Sequence, residues 1–90
     1  MSFFKKEYGF TLDGRWIEIL GETKLIYPRW RILVDGEIRD EKSKRGALHL
    51  STKVNDSEIR VDIYQSWFGD FWLTAYCDEK KMFEFNGFLA

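Results

Sequence analysis

The sequence predicts an all-β protein, a small antiparallel β-sandwich of seven to eight strands that forms a single domain over residues 1–90. Strand-like runs recur along the whole chain, and a turn signal stands at almost every break between them. No segment combines sustained helical spacing with a capping residue at its start. Asp-Gly occurs twice between apolar runs. This dipeptide is a strong hairpin signal, because both residues tolerate the positive φ angles of a type I′ turn.

The first hairpin is predicted from Glu7–Leu12, the turn Asp13-Gly14, and Arg15–Leu20. A two-residue loop fixes the register, and cross-strand partners then project to the same side. One face is apolar and collects Tyr8, Phe10, Leu12, Ile17 and Ile19. The other collects Glu7, Thr11, Trp16, Glu18 and Leu20. This division is typical of an antiparallel pair with one face in the core.

The second hairpin is predicted from Arg29–Val34, the turn Asp35-Gly36, and Glu37–Asp40. Its register places Leu33 opposite Ile38. The other face is expected to combine Trp30, Ile32 and Val34 with Glu37 and Arg39. Because the first arm has no polar face, we expect it to be a central strand and the charged arm to be an edge or a projecting arm. Leu25–Tyr27, in the preceding connection, is expected to cover an edge or to add a short strand.

The second half of the chain predicts four more strands with polar breaks between them. Glu58–Tyr64 alternates apolar and charged residues without exception, and Asp70–Cys77 alternates Phe71, Leu73, Ala75 and Cys77 with Trp72, Thr74 and Tyr76. The remaining predicted elements are the charged loop Glu41–Gly46, the strand Ala47–Thr52, the turn Asn55–Ser57, the turn Asp78–Lys81, the strand Met82–Phe85 and a last turn at Asn86-Gly87.

The composition favours an ordinary globular protein of the cytoplasm. The net charge of −1 gives no global attraction to nucleic acid or to an anionic membrane. The single cysteine, Cys77, excludes an intrachain disulfide and fits a reducing compartment, where we expect it to be a buried small hydrophobe. The first residues lack the apolar core of a signal peptide. We therefore expect a cytoplasmic localisation.

No residue pattern predicts catalysis, a metal site or a cofactor. His49 is the only histidine, so any Ser-His-Asp or Cys-His arrangement would require it, and no known nucleophile motif surrounds Cys77 or the serines. One histidine and one cysteine cannot supply a structural zinc site. The expectation is a protein that is not an enzyme.

Aromatic residues make up 18% of the chain, which is more than a small core obviously needs. The densest group surrounds the turn at Gly69, where outward-facing rings are expected to bind a partner. These candidate binding residues are Tyr64, Trp67, Phe68, Trp72 and Tyr76. Exposed aromatic rings are favoured anchors at protein interfaces. Two other interpretations of these rings remain open. Another segment of the chain could cover them, or a second copy of the chain could cover them in a homodimer.

Basic residues define a secondary candidate patch at Arg29, Arg31 and Lys44, with Lys42 and Arg45 nearby. Basic side chains beside aromatic rings are what single-stranded nucleic-acid binders use for phosphates and bases. The alternative function is therefore a nucleic-acid or small-ligand binder on a barrel of the OB type. A solvated loop with Arg stems lying over Trp30 is the simpler interpretation, so we expect nucleic acid not to be the partner.

The order of turns and strands resembles one half of the Fas apoptotic inhibitory molecule family. The residues that carry this resemblance are the Asp-Gly hairpin Phe10–Ile19, the basic-apolar strand with its Val-Asp-Gly turn at Arg31–Glu37, and the alternating strands with an aromatic glycine turn at Ile59–Leu73. The resemblance covers residues 8–85. It implies a cytoplasmic β-sandwich module that binds proteins, has no cofactor and transfers no catalytic residue. This chain is a single short module that is richer in Trp and Phe.

Overall fold

A computed structural model describes residues 5–24 and 27–89 of the chain. It contains eight β-strands and, over the described residues, no helix long and apolar enough to cross a membrane. The strands are β1 (Lys5–Leu12), β2 (Arg15–Glu22), β3 (Arg29–Val34), β4 (Glu37–Ser43), β5 (Gly46–Val54), β6 (Ser57–Gln65), β7 (Asp70–Cys77) and β8 (Lys80–Phe88).

The strands form two four-stranded antiparallel sheets, each a simple meander in chain order. The first sheet is β1-β2-β3-β4 and the second is β5-β6-β7-β8. The predicted all-β sandwich is therefore confirmed, and the architecture is not the closed barrel of the alternative interpretation. Only Lys44 and Arg45 separate the last strand of the first sheet from the first strand of the second. Gly46 permits this change of sheet with a φ of +81°.

The register of the first hairpin is the predicted one at every position. Leu12 faces Arg15, Phe10 faces Ile17, and Tyr8 faces Ile19. The prediction that the apolar arm of the second hairpin is central and its charged arm an edge is also confirmed, because β3 pairs with both β2 and β4.

The core lies between the two sheets and consists of aliphatic residues with two large rings. Its fully buried members come from both meanders: Ile17, Ile19, Trp30, Ile32, Val34, Leu48, Leu50, Val54, Ile59, Val61, Ile63, Phe71, Leu73, Ala75 and Leu89. At one side β1 packs against β8. There the rings of Tyr8 and Phe85 stack at 4.4 Å between centroids, and Phe10 meets Phe83 edge-on at 5.1 Å.

At the opposite side, polar side chains of β4 connect the two sheets. The Asp40 carboxylate accepts a hydrogen bond from the Ser51 amide (3.0 Å), and the Lys42 ammonium donates to the His49 carbonyl (2.6 Å). These bonds occupy backbone groups on the free edge of β5. An edge strand blocked in this way is a poor template for pairing with another chain.

One buried polar contact joins the sheets inside the core, at the end where β6 finishes. The Trp30 indole N–H donates to the Gln65 side-chain oxygen (3.0 Å), and the Gln65 amide nitrogen donates to the Leu89 carbonyl (2.9 Å). Gln65 is only 1% exposed. The Trp30 ring fits because Gly21 lies opposite it on β2, where a β-carbon would come within 2.6 Å of the ring.

The two meanders repeat one another. In the first, the Asp35 amide donates to the Trp16 carbonyl (2.7 Å) while the Trp16 amide donates to the Asp35 carboxylate (2.9 Å). In the second, Asp78 and Glu58 exchange the same two bonds at 2.8 and 2.9 Å. The matching positions lie 42 and 43 residues apart. The two sheets thus share both their strand order and this pair of hydrogen bonds.

Several predicted boundaries are wrong. The charged loop Glu41–Gly46 is mostly strand, because β4 continues to Ser43 and pairs with Arg29 of β3. Asn86-Gly87 is not a turn either. Both residues lie in β8, where Asn86 pairs with Trp72 and the Phe71 ring occupies the space that a side chain at position 87 would fill.

Three smaller expectations need correction or lie outside the description. A bulge between Ile32 and Leu33 places Asp40, not Arg39, opposite Ile32. Cys77 is half-buried rather than buried, because it ends β7 beside the exposed turn at Asp78. The proposed cover at Leu25–Tyr27 falls partly on residues 25–26, outside the described residues. Tyr27 itself is exposed and lies in a bend.

Asp35 makes the stability of the fold depend on pH. The hydrogen bond from the Trp16 amide, followed by that from the Arg15 guanidinium, lowers the pKa of the Asp35 carboxyl below its ordinary value. A lowered folded-state pKa contributes stability above the ordinary carboxyl pKa of about 4, and this contribution is lost as the pH falls through the folded-state pKa. We expect Asp35→Asn to make the loss of unfolding free energy on acidification below about pH 4 shallower.

Chemical denaturation at a series of pH values measures this effect. Asp13→Asn is the matched control, since Asp13 occupies the same place in the first Asp-Gly turn and forms no side-chain hydrogen bond with a described residue. Equal pH slopes for the wild type and Asp35→Asn would contradict the assignment.

Candidate interaction surface

Tyr64 and Trp72 form the centre of an aromatic surface on the outer face of the second sheet. They are register partners on β6 and β7, and their ring centroids lie 5.8 Å apart at 47°. About half of each side chain is exposed. On the β5 side Tyr64 faces Ala47, whose small side chain leaves the ring uncovered. The sequence therefore predicted the face of both rings correctly.

Trp67 and Phe68 occupy the turn between these two strands and are the most exposed large apolar residues described, at 76% and 85%. The turn is well defined. The Ser66 amide donates to the Asp70 carbonyl (2.8 Å), and the Phe68 amide donates to the Ser66 hydroxyl (3.2 Å). Gly69 adopts a φ of +99°, and its carbonyl accepts the Leu89 amide at 2.8 Å. A hydrogen-bonded turn thus presents two uncovered rings.

Tyr76 lies on the same outer face but apart from these four rings. It is four residues beyond Trp72 on β7, which is about 13 Å along a strand. The Arg60 guanidinium covers its ring at 4.3 Å and is itself held by Glu79 (2.9 Å) and Asp62 (3.1 Å). Tyr76 therefore lies outside the exposed group, with Arg60 over its ring.

Phe88 belongs to the same surface and was missed by the sequence interpretation. It pairs with Asp70 across β7 and β8 and is half-exposed. Together with Trp72 and Asn86 it lines an open cavity of about 330 Å³. The predicted turn at Asn86-Gly87 placed Phe88 outside any strand, so its face was not assigned.

The secondary basic patch is not assembled as predicted. Arg29 and Arg31 lie on the outer face of the first sheet and are both within 4 Å of Glu22, while Arg31 also binds Glu41 (2.7 Å). Partial burial raises the pKa of the Glu22 carboxyl. The hydrogen bond from Arg29 and the positive charges of Lys24, Arg29 and Arg31 together lower this pKa by more, so the net shift is downward. These arginines are neutralised by carboxylates, whereas Lys44 lies in the β4–β5 turn.

Lys44 lines a second cavity instead. Neither the predicted aromatic group nor the predicted basic patch included this combination of residues. This cavity of about 450 Å³ is lined by Tyr27, Ser43, Lys44, Arg45 and Trp67. The Arg45 guanidinium lies 5.5 Å from the centroid of the Trp67 ring and donates to the Ser66 carbonyl (3.1 Å). The Lys44 amide donates to the Pro28 carbonyl (3.2 Å), which brings this turn beside the bend at Tyr27.

The residues considered for catalysis are placed separately from these rings. His49 is exposed on β5, and its Nδ1 lies 2.7 Å from the Asp62 carboxylate. No hydroxyl or thiol of the described chain is hydrogen-bonded to its other ring nitrogen. The described residues contain no group of three or more His, Cys, Asp or Glu side chains arranged to hold a metal ion.

Comparison with known proteins adds no relationship: no protein-family description, no curated protein and no solved structure matches this chain.

The exposed turn rings should contribute little to folding, in contrast with the neighbouring buried ring. We expect Trp67→Ala and Phe68→Ala each to change the unfolding free energy by less than about 0.5 kcal/mol, as is usual for surface positions. Phe71→Ala, in the same stretch but fully buried, should cost about 3–5 kcal/mol. Urea denaturation measures all three. A loss above about 2 kcal/mol at Trp67 or Phe68 would mean that the ring packs against the fold.

Proposed function

We propose that this protein is a non-enzymatic interaction module that binds another protein, or a second copy of itself, through the aromatic surface formed by Tyr64, Trp67, Phe68, Trp72 and Phe88. The observation that carries the proposal is the pair Trp67-Phe68, almost fully exposed on a hydrogen-bonded turn. A fold gains nothing from leaving two large rings in water. Aromatic rings on a fixed turn supply contact area at low conformational cost, which is why they are frequent anchors at interfaces.

The area of these rings supports an interface of ordinary size. A Trp, Tyr or Phe side chain buries roughly 150–250 Å² when fully covered. At their observed exposures the five rings offer on the order of 500–800 Å² of apolar surface. A stable interface buries about 800 Å² on each partner. The polar rim would come from Asn86, Asp70 and Arg45, which border the rings.

Two other points bear on the choice of function. The resemblance to the Fas apoptotic inhibitory molecule family implies the same kind of activity, and it is carried by the hairpin residues alone. Binding of single-stranded nucleic acid is less favoured, because Arg29 and Arg31 already pair with Glu22 and Glu41. A groove that follows a phosphate backbone needs a series of free cations.

The test compares the double variant Trp67→Ala/Phe68→Ala with Trp16→Ala. Trp16 is the matched control, since it is a half-exposed Trp on the outer face of the other sheet. Sedimentation velocity measures self-association, and affinity capture from the cells that express the protein measures binding of other proteins. We expect the wild type and Trp16→Ala to form the same complex and the double variant to lose it, with at least about a tenfold weaker affinity.

Two results would contradict the proposal. The first is a wild-type chain that stays monomeric at high concentration and retains no protein. The second is an equal loss of binding in Trp16→Ala, which would show that the position of the rings does not matter.

A further inference from the structure

The cavity beside Trp67 combines rings with two cations that form no ion pair with a carboxylate of the described residues. It is built by three connections that meet at one end of the sandwich: Tyr27 comes from the β2–β3 connection, Lys44 and Arg45 from the β4–β5 turn, and Trp67 from the β6–β7 turn. No carboxylate of the described residues lies within 4 Å of the Lys44 ammonium or the Arg45 guanidinium. Most other cations of the outer faces are paired, including Arg29, Arg31 and Arg60.

The charge of the molecule is also distributed unevenly between its ends. The chain segments at the end that holds the cavity carry six Lys or Arg against three Asp or Glu residues, and those at the opposite end carry five against seven. The former are segments 22–24, 27–31, 41–46 and 65–71, and the latter are 12–16, 33–39, 53–58 and 77–81. Although the net charge of the chain is −1, the end that holds the cavity is positive. A positive end attracts an anionic partner and repels a cationic one.

Arg45 is already oriented for an anion. One guanidinium nitrogen is held by the Ser66 carbonyl, and the guanidinium lies beside the Trp67 ring, so its remaining N–H donors are fixed in direction. The Lys44 ammonium, for which no side-chain bond to a described residue is formed, adds a second positive charge, and the Ser43 hydroxyl adds a further donor at the rim. The set offers several donors and two rings but no described carboxylate.

From this geometry we infer that the cavity lined by Tyr27, Ser43, Lys44, Arg45 and Trp67 binds an acidic side chain of the partner protein that stands next to an apolar or aromatic residue. The carboxylate would bind Arg45 and Lys44, and its apolar neighbour would pack on Trp67 and Tyr27. The inference rests on the proposed function and specifies the chemistry of its partner. A protein segment is favoured over nucleic acid because two cations in one cavity, neither paired with a described carboxylate, match one or two carboxylates rather than a run of phosphates.

The experiment uses the whole chain and three defined probes, followed by NMR through the indole signal of Trp67 and the guanidinium signal of Arg45. The probes are the peptide Asp-Glu-Leu-Phe-Asp-Glu, its neutral counterpart Asn-Gln-Leu-Phe-Asn-Gln, and an oligothymidine of eight nucleotides. We expect the acidic peptide to shift both signals and to bind at least about tenfold more tightly than the neutral peptide. The oligonucleotide should bind more weakly than the acidic peptide at equal salt.

Variants test the assigned residues. Arg45→Gln and Lys44→Gln should each weaken binding of the acidic peptide by about three- to tenfold, and raised salt should reduce the difference from the wild type. Lys44→Gln removes no side-chain hydrogen bond or ion pair to a described residue, so it remains informative if Arg45→Gln disturbs the turn. Lys53→Gln is the control, because Lys53 is an exposed lysine without an ion pair to a described carboxylate, at the other end of β5.

Three results would overturn the inference: equal binding of the acidic and neutral peptides, tighter binding of the oligonucleotide, or an equal effect of Lys53→Gln. The proposed function is tested separately. If Trp67→Ala/Phe68→Ala abolishes the protein complex while the acidic peptide leaves both signals unmoved, the aromatic surface stands and the acidic-partner inference falls.

Discussion

The structure depends most on the buried contact in which Gln65 joins Trp30 to Leu89. Gln65 is the only buried polar side chain among the described residues, and it lies between the two sheets. A polar side chain there is tolerable only when its donors and acceptor are satisfied, and both ends of this amide are. Because the indole N–H and the Leu89 carbonyl have fixed directions, the contact selects one relative position of the sheets, which apolar packing alone specifies less well.

This contact also determines where the exposed rings lie. Gln65 is the last residue of β6, and the turn that carries Trp67 and Phe68 begins at the next residue. Leu89, which accepts the hydrogen bond from Gln65, donates its amide to Gly69 at the end of the same turn. The turn is thus anchored to the core at both its start and its end, and its two most exposed rings project from a fixed backbone. A surface presented in this way can bind a partner without first paying to order a flexible loop.

Much of the fold could be predicted from the sequence because its local signals agree with its packing. Asp13-Gly14 set the register of the first hairpin, and Asp35-Gly36 set that of the second as far as the bulge at Ile32. Strict alternation identified the buried face of Glu58–Tyr64. The limits of β8 could not be predicted, since Asn86-Gly87 reads as a turn until Phe71 is seen to fill the space beside Gly87. The sequence also could not show that Trp30 is buried and Trp67 exposed, because this depends on which strands pack against each ring. The cavity at Arg45 required three connections, distant in sequence, to lie together.

The most direct test of this account is a double-mutant cycle on the unfolding free energy with Trp30→Phe and Gln65→Leu. Gln65→Leu alone should cost about 2–4 kcal/mol, because it leaves the Trp30 indole N–H and the Leu89 carbonyl buried without partners. In the Trp30→Phe background the indole N–H is already gone, so the same substitution should cost at least about 1 kcal/mol less. Costs that add within about 0.5 kcal/mol would show that the two side chains are not coupled, and would contradict the central role given to this contact.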